Sequence, residues 1–272
     1  MTRILAITNQ KGGVGKTTTC INLCAALALA RRRVLLVDLD PQGNATMGCG
    51  IDKHGLERSV CDLLLGEAPP QACIQPAPVA GIDVLPANAD LTAAEVALMH
   101  QPGRERRLQQ ALQTVAPDYD YVLVDCPPSL NMLTINALVA AAGVLIPVQC
   151  EYYALEGLTA LLETVRQIRE TINPGLEIDG LVRTMFDARN RLAGQVSEQL
   201  LAHFGDRVYR TIVPRNVRLA EAPSHGMPIL AYDKGSRGAI AYLALAGELL
   251  RRDEARRQAA GTAVVAEDEV AG

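Results

Sequence analysis

A doubly wound α/β fold, with a mostly parallel sheet and helices on both faces, is what the 272-residue sequence predicts. Three observations predict it. Short apolar runs alternate with helical segments, and a glycine-rich loop joins the first run to the first helix. The core must be aliphatic, since 49% of residues are hydrophobic but only 3% are aromatic and none is Trp. Ala, Leu, Val and Ile suit helices packed on a sheet buried on both sides.

Ile4 to Ile7 is the first strand, and Thr19 to Leu27 lies in the helix that follows the loop. Arg31-Arg32-Arg33 then places positive charge at a helix end, where the dipole favours it. Val34-Leu35-Leu36-Val37 is a wholly apolar strand ending in Asp38-Leu39-Asp40-Pro41-Gln42-Gly43-Asn44. Ser59 to Gly66 fits a short helix closed by glycine, and Ile82 to Pro86 a short strand. Leu91–His100 and Glu105–Val115 are helical, separated by Pro102-Gly103. Tyr121-Val122-Leu123-Val124 is a strand delivering Asp125, Asn131–Ala142 is helical, and Gly143–Val148 is another strand. Leu155–Ile172 forms a long amphipathic helix, Ile178–Thr184 a strand, and further helices run to Phe204 and over Ser236–Arg252. One large domain is expected over residues 1–252, with the Ala-, Gly- and Glu-rich stretch 253–272 disordered.

The net charge of −4 excludes a uniformly basic coat, though not a local basic patch. Seven cysteines without a C-x-x-C pair suggest neither a disulfide framework nor a zinc knuckle, and Cys20 and Cys24 read as core residues. His54 and His100 have no metal-ligand spacing. Met1-Thr2-Arg3 runs straight into a strand, so no signal peptide is expected, and no apolar run approaches a membrane span.

The chemistry concentrates in Gln10-Lys11-Gly12-Gly13-Val14-Gly15-Lys16-Thr17-Thr18. Unpaired N–H groups at a helix N-terminus, closed around a polyphosphate by glycines, make an anion cradle. Lys16 would reach the β- and γ-phosphates, and the Thr17 hydroxyl would ligate Mg²⁺. The pattern G-x-x-x-x-G-K-[ST] wants glycine where this chain has Gln10, and an extra lysine, Lys11, follows it. This is the deviant form of the P-loop NTPase signature. Asp38 and Asp40 fall at the C-terminal edge of a buried strand, where α/β sheets bind ligands. Asp40 is placed to orient a water facing the γ-phosphate, with Asp38 nearer the metal or the loop lysine. Asp125 is a second carboxylate aimed at the metal shell.

On these residues the chain resembles the Soj-type ParA ATPases, chromosome-partitioning members of a superfamily that includes MinD and the nitrogenase iron protein. The resemblance rests on K-G-G-V-G-K-T-T at 11–18, V-D-L-D-P-Q-G-N-A-T at 37–46, V-D-C-P-P-S-L at 124–130, T-M-F-D-A-R at 184–189 and P-R-N-V-R-L-A-E-A-P-S-H-G at 214–226. It implies that Lys11 reaches the other subunit's phosphates in an ATP-sandwich homodimer, with close backbone approach at Gly12. Asp40 then positions the hydrolytic water, and Pro214 and Asn216 hold adenine. The resemblance further implies that Arg189 and Arg218 lie on a surface that binds double-stranded DNA without sequence preference. A ParB-like centromere-binding protein would stimulate slow hydrolysis of Mg·ATP, and the protein would be cytoplasmic and nucleoid-associated. Arg183, Arg191, Arg207, Arg210 and Arg215 enrich the same region, as phosphate contacts require.

Other readings are a MinD-like membrane-associated ATPase, an iron–sulfur protein using Cys126, and a regulator that binds nucleotide without turnover. The 253–272 segment lacks the apolar face of a membrane-binding helix, and no further cysteine has cluster spacing.

Overall fold

The computed structural model describes the backbone of residues 2–270 and the side-chain environments of residues 2–259. Among the described residues, eight strands form one sheet in the order β3-β4-β2-β5-β1-β6-β7-β8. They are β1 (Arg3–Ile7), β2 (Val34–Asp38), β3 (Gln75–Pro76), β4 (Asp83–Leu85), β5 (Tyr121–Asp125), β6 (Gly143–Gln149), β7 (Glu177–Phe186) and β8 (Val208–Pro214). All pairings are parallel except the short β3–β4 edge. The expected doubly wound α/β fold is the one observed.

The helices are α1 (Lys16–Leu29), α2 (Asn44–Gly48), α3 (Val60–Leu65), α4 (Pro70–Cys73), α5 (Leu91–Leu98), α6 (Arg107–Leu112), α7 (Met132–Ala140), α8 (Ala154–Thr171), α9 (Arg191–Phe204), α10 (Val217–Glu221), α11 (Ile229–Tyr232) and α12 (Arg237–Val270). Successive strand side chains point to opposite faces. Leu35, Val37, Val122 and Val124 therefore join a core under α3 and α5–α9, while Val34, Leu36, Tyr121 and Leu123 join one under α1 and α10–α12. Local chemistry agrees with the short helices: Ser59 and Asp62 form a reciprocal capping box at the start of α3, and Gly66 closes it in the left-handed region.

One strand was not anticipated, and one expected boundary is corrected. Val208–Pro214 carries no clear strand signal in sequence because Arg210 and Thr211 interrupt its apolar residues, yet it pairs with β7 as an edge strand. Its register is irregular around Arg183 and Phe186. The last helix also does not stop at Arg252, and the segment after it is not a disordered tail from residue 253 onward. It continues as α12 to Val270. Asp253 is 3% exposed and accepts a hydrogen bond from the Tyr121 hydroxyl at 2.7 Å. Asp179, also buried, accepts from Arg256 at 2.6 Å and from the Tyr209 hydroxyl at 2.5 Å, and Arg3 bridges both carboxylates. These contacts fasten α12 across the N-terminal ends of β1, β5 and β7. Residues 271 and 272 lie outside the described residues.

Candidate nucleotide site

Parallel pairing brings the chemistry to one edge. Ile7, Asp38 and Asp125 are the last residues of β1, β2 and β5, and the register sets Asp125 opposite both Ile7 and Asp38. The loop after Ile7 wraps around this edge and enters α1 at Gly15, whose φ of 86° is a left-handed conformation that a side chain would strain. Hydrogen bonds to β6 and β7 hold the loop in shape. Asn9 donates to the Pro147 carbonyl at 2.8 Å and accepts from the Lys11 N–H at 3.0 Å, while the Thr184 hydroxyl donates to the Val14 carbonyl at 2.8 Å.

The two loop lysines behave differently. Lys16 is buried and its Nζ donates back across the loop to the Lys11 carbonyl at 3.1 Å. Burial lowers its pKa, and the carboxylates of Asp125 and Asp40 work against that by favouring the charged form. Lys11 instead turns outward, and its Nζ meets Glu151 at 2.6 Å. Gly12, Gly13 and Val14 lie between the two lysines and Thr17 and Thr18 follow in the first turn of α1; Val14 is buried in the core between exposed and half-buried glycines.

Asp125 is fully buried, and among the described residues neither carboxylate oxygen completes a hydrogen bond. Burial raises its pKa well above the ordinary carboxylate value, and Asp38 and Asp40 raise it further; Thr17 and Lys16 oppose the rise without satisfying either oxygen. An unpartnered buried carboxylate beside a hydroxyl suits a hard divalent cation, and Mg²⁺ in phosphate sites takes one or two carboxylates plus phosphate oxygens. Thr17 and Asp125 therefore fit as its protein ligands.

Asp38, expected nearer the metal or the loop lysine, sits beside Asp125 with its carboxylate engaged by its own segment. It is spent on structure, accepting from the Thr46 N–H and hydroxyl at 2.8 Å each and from the Asp40 N–H at 3.1 Å. Burial, only partly offset by these bonds, pushes its pKa up to about 6. Asp40 remains at the rim, 9% exposed, accepting from the Gln42 N–H at 2.9 Å.

Beside the loop lies a mainly apolar cavity of about 300 Å³ lined by Gly15, Thr18, Met185, Pro214, Asn216 and Leu219, among others. It brings Pro214 and Asn216 beside the phosphate loop. Asn216 also caps α10 by accepting from the Leu219 N–H at 3.2 Å. Met185 adopts φ 48° at this wall, an uncommon conformation for a non-glycine residue. A larger cleft of about 870 Å³ along α12 has no phosphate-cradling loop. Nothing local marks Asn9, Glu151, Thr184 or Met185 for these places, because each meets a partner far along the chain.

The arginine-rich region divides. Arg189 and Arg218 are exposed after β7 and β8, at the same sheet edge as the phosphate loop. Each is ion-paired: Arg189 holds Asp187 through two bonds of 2.9 and 2.8 Å, and Arg218 holds Glu221 at 2.8 Å. Arg183 cannot meet a phosphate backbone. It is 6% exposed and donates to the Ser197 hydroxyl and to the Tyr209 and Arg210 carbonyls. Arg207 precedes β8 and so lies at the opposite edge. The seven cysteines are free, and six of them, Cys20, Cys24 and Cys126 included, are buried. Among the described residues no helix is long and apolar enough to cross a membrane.

A mostly parallel sheet with a phosphate loop after β1 and a carboxylate at the end of β5 defines a P-loop ATPase. Comparison narrows the class. A family described as an AAA domain matches residues 2–178. The chain is 55% identical over 249 residues to the sporulation initiation inhibitor protein Soj of Bacillus subtilis, covering 92% of this chain and 98% of that protein. It is 51% identical over 257 residues to the chromosome partitioning protein ParA of Caulobacter vibrioides, covering 94% and 96%. Among solved structures, a cobyrinic acid a,c-diamide synthase from Mycobacterium smegmatis with bound ADP and magnesium is similar at 40% identity and a TM-score of 0.82, covering 93% and 96%. MinD from Pyrococcus horikoshii, complexed with Mg-ADP, is similar at 25% identity and a TM-score of 0.76, covering 92% and 96%. The chain belongs to the ParA/Soj family of chromosome-partitioning ATPases.

Proposed function

We propose that the chain is a DNA-segregation switch in which ATP, held with Mg²⁺, joins two copies into a dimer that binds double-stranded DNA without sequence preference. Hydrolysis, stimulated by a ParB-like partner, then releases the DNA. The observation that carries this reading is the opposite aim of the two loop lysines. Lys16 folds into its own cradle, whereas Lys11 points out of it toward Glu151. A lysine that is part of the phosphate loop yet leaves its own phosphate space free is available to a second copy's nucleotide.

Within one subunit, the loop N–H groups and Lys16 bind the polyphosphate, and Pro214 and Asn216 hold the base. Thr17 and Asp125 would hold Mg²⁺, which would supply charge neutralisation. Asp40, at the rim and free of the structural duty that occupies Asp38, orients the attacking water. Lys16 and the partner copy's equivalent of Lys11 would meet the charge that develops on the transferring group, so that catalysis is positioning and electrostatics. Arg189 and Arg218 share the nucleotide edge, so a dimer formed there displays two sets of them together. Differential affinity of the ATP dimer for DNA makes nucleotide state shift the bound population. A MinD-like membrane-associated ATPase is the alternative.

The test is DNA binding by wild type, Lys16→Ala and Asp40→Ala, in ATP or ADP, over a salt series. Lys16→Ala should lose ATP-dependent binding; Asp40→Ala should keep it and resist release, with affinity falling steeply as salt rises. Equal DNA affinity in ATP and ADP, or retention on anionic liposomes without DNA binding, would overturn the reading.

A further inference from the structure

We propose that the backbone contact between Gly50 and Gly226 carries nucleotide state from the Asp38–Asp40 segment to the α10 surface that presents Arg218. This rests on the switch proposed above and assigns its internal linkage.

The linkage begins at α2. Thr46 in its middle is tied to buried Asp38 by two bonds, and its hydroxyl also accepts from the Ala87 N–H at 2.9 Å. A displacement of the Asp38–Asp40 segment is therefore passed to α2 as a unit. Just past α2, Gly50 packs directly on Gly226. Both are left-handed, at φ 82° and 62°. A Cβ on Gly226 would lie 2.9 Å from the Gly50 Cα, and one on Gly50 would lie 2.9 Å from the Gly226 carbonyl oxygen. Main chain touches main chain here. Side chains absorb displacement by changing rotamer, but two packed backbones must move together.

Gly226 closes the 3-10 turn Ala222–His225, which continues directly from α10. That turn is braced, since His225 stacks on Tyr232 at 5.0 Å and the Tyr232 hydroxyl donates to Glu221 at 3.2 Å. Glu221 is also the acid that holds Arg218. A second anchor grips the same corner from the phosphate side: buried Asn22 donates to the Thr18 carbonyl and accepts from the Ile229 N–H, both at 2.7 Å. The α10–α11 corner is thus held between the phosphate-loop helix and the segment that follows Asp40. Gly50 and Gly226 are positioning residues, and neither lines the base cavity or the cradle.

The experiment compares wild type with Gly226→Ala, using Gly81→Ala as control. Gly81 has nearly the same φ, 64°, but open space around it, so the control carries the backbone strain without the contact. Amide hydrogen exchange is followed in ADP and in ATP, alongside nucleotide affinity and DNA affinity. In wild type, ATP should protect 44–50 and 217–226 together. Gly226→Ala should bind ATP within about threefold of wild type, keep the response at 44–50 and lose it at 217–226. Its ATP-over-ADP preference for DNA should fall about tenfold, within the range of ordinary coupling between sites. Gly81→Ala should match wild type.

The proposal is overturned if Gly226→Ala keeps the response at 217–226, or if Gly81→Ala loses it equally. Should Gly226→Ala fail to fold, wild type alone decides: a response at 44–50 without one at 217–226 overturns the linkage. If both segments respond in wild type while DNA affinity ignores the nucleotide, the linkage stands and the DNA switch fails.

Discussion

Asp38 and Asp125 are register partners across the β2–β5 pairing, both fully buried, and they are satisfied in opposite ways. Asp38 accepts three hydrogen bonds from Thr46 and Asp40; Asp125 completes none. The fold spends one carboxylate on its own loop and holds the other bare.

The bare carboxylate should cost stability until a cation arrives. Asp125→Asn keeps the shape and removes the charge, and an unpaired buried charge costs more than an unpaired neutral amide, so without nucleotide the variant should be more stable than wild type at pH 7.5, by about 1–3 kcal/mol. The sign with pH follows from the raised pKa of Asp125. Above the unfolded value near 3.8 the native state holds the extra proton, so wild type loses stability as pH rises toward the folded pKa. The variant's advantage should therefore shrink as pH falls toward 4 and reverse in Mg·ATP. Chemical denaturation across pH, with and without Mg·ATP, checks it.

Lys11→Ala should separate binding from assembly. The Lys11–Glu151 pair is half exposed on both sides, and such surface pairs contribute about 0–1 kcal/mol, so the fold should survive its loss. Titration calorimetry should find ADP affinity within about fivefold of wild type, a change of no more than about 1 kcal/mol. Sedimentation in ATP should find no dimer. A dimer of normal affinity would place Lys11 outside the interface.

Asp253→Ala tests whether the chain beyond Arg252 belongs to the domain. The change strips the Tyr121 hydroxyl of its acceptor and leaves Arg3 and Arg256 sharing Asp179 alone. Breaking a buried pair costs about 3–5 kcal/mol, so the urea midpoint should drop well below wild type while ATP affinity of the folded fraction is unchanged. A change under about 0.5 kcal/mol would mark the segment as dispensable.

Asp187→Asn should tighten DNA binding in ATP. Arg189 is 91% exposed at its side chain and holds Asp187 through two bonds. Freeing it removes a competing anion next to the phosphate backbone. Given the small worth of exposed pairs, the gain should be about two- to fivefold at low salt, vanishing as salt rises. Arg189→Gln should do the reverse. Filter binding over a salt series measures both.

The phosphate loop, the carboxylates at 38, 40 and 125, and the alternation of strands and helices were legible because each is local. Glycine spacing sets a turn, and apolar runs set buried strands. Val208–Pro214 was not legible as a strand: its place is set by Tyr209 entering the core beside β7, not by its own alternation. Arg183 and Arg189 look alike in sequence, six residues apart, yet one points between α9 and β8 and the other into solvent.

By itself, then, the sequence determined the cradle, the sheet that carries it and the family to which both belong, since these depend on residue type at fixed short spacing. Tertiary structure alone decided which of two neighbouring aspartates is tied to Thr46, which arginines reach the surface, how far the last helix belongs to the core and where Lys11 points. Each of those depends on partners brought together from separate strands, as Thr184 is to Val14 and Glu151 to Lys11. Burial and hydrogen-bond supply at a residue are properties of the packed assembly, and short-range pattern carries neither.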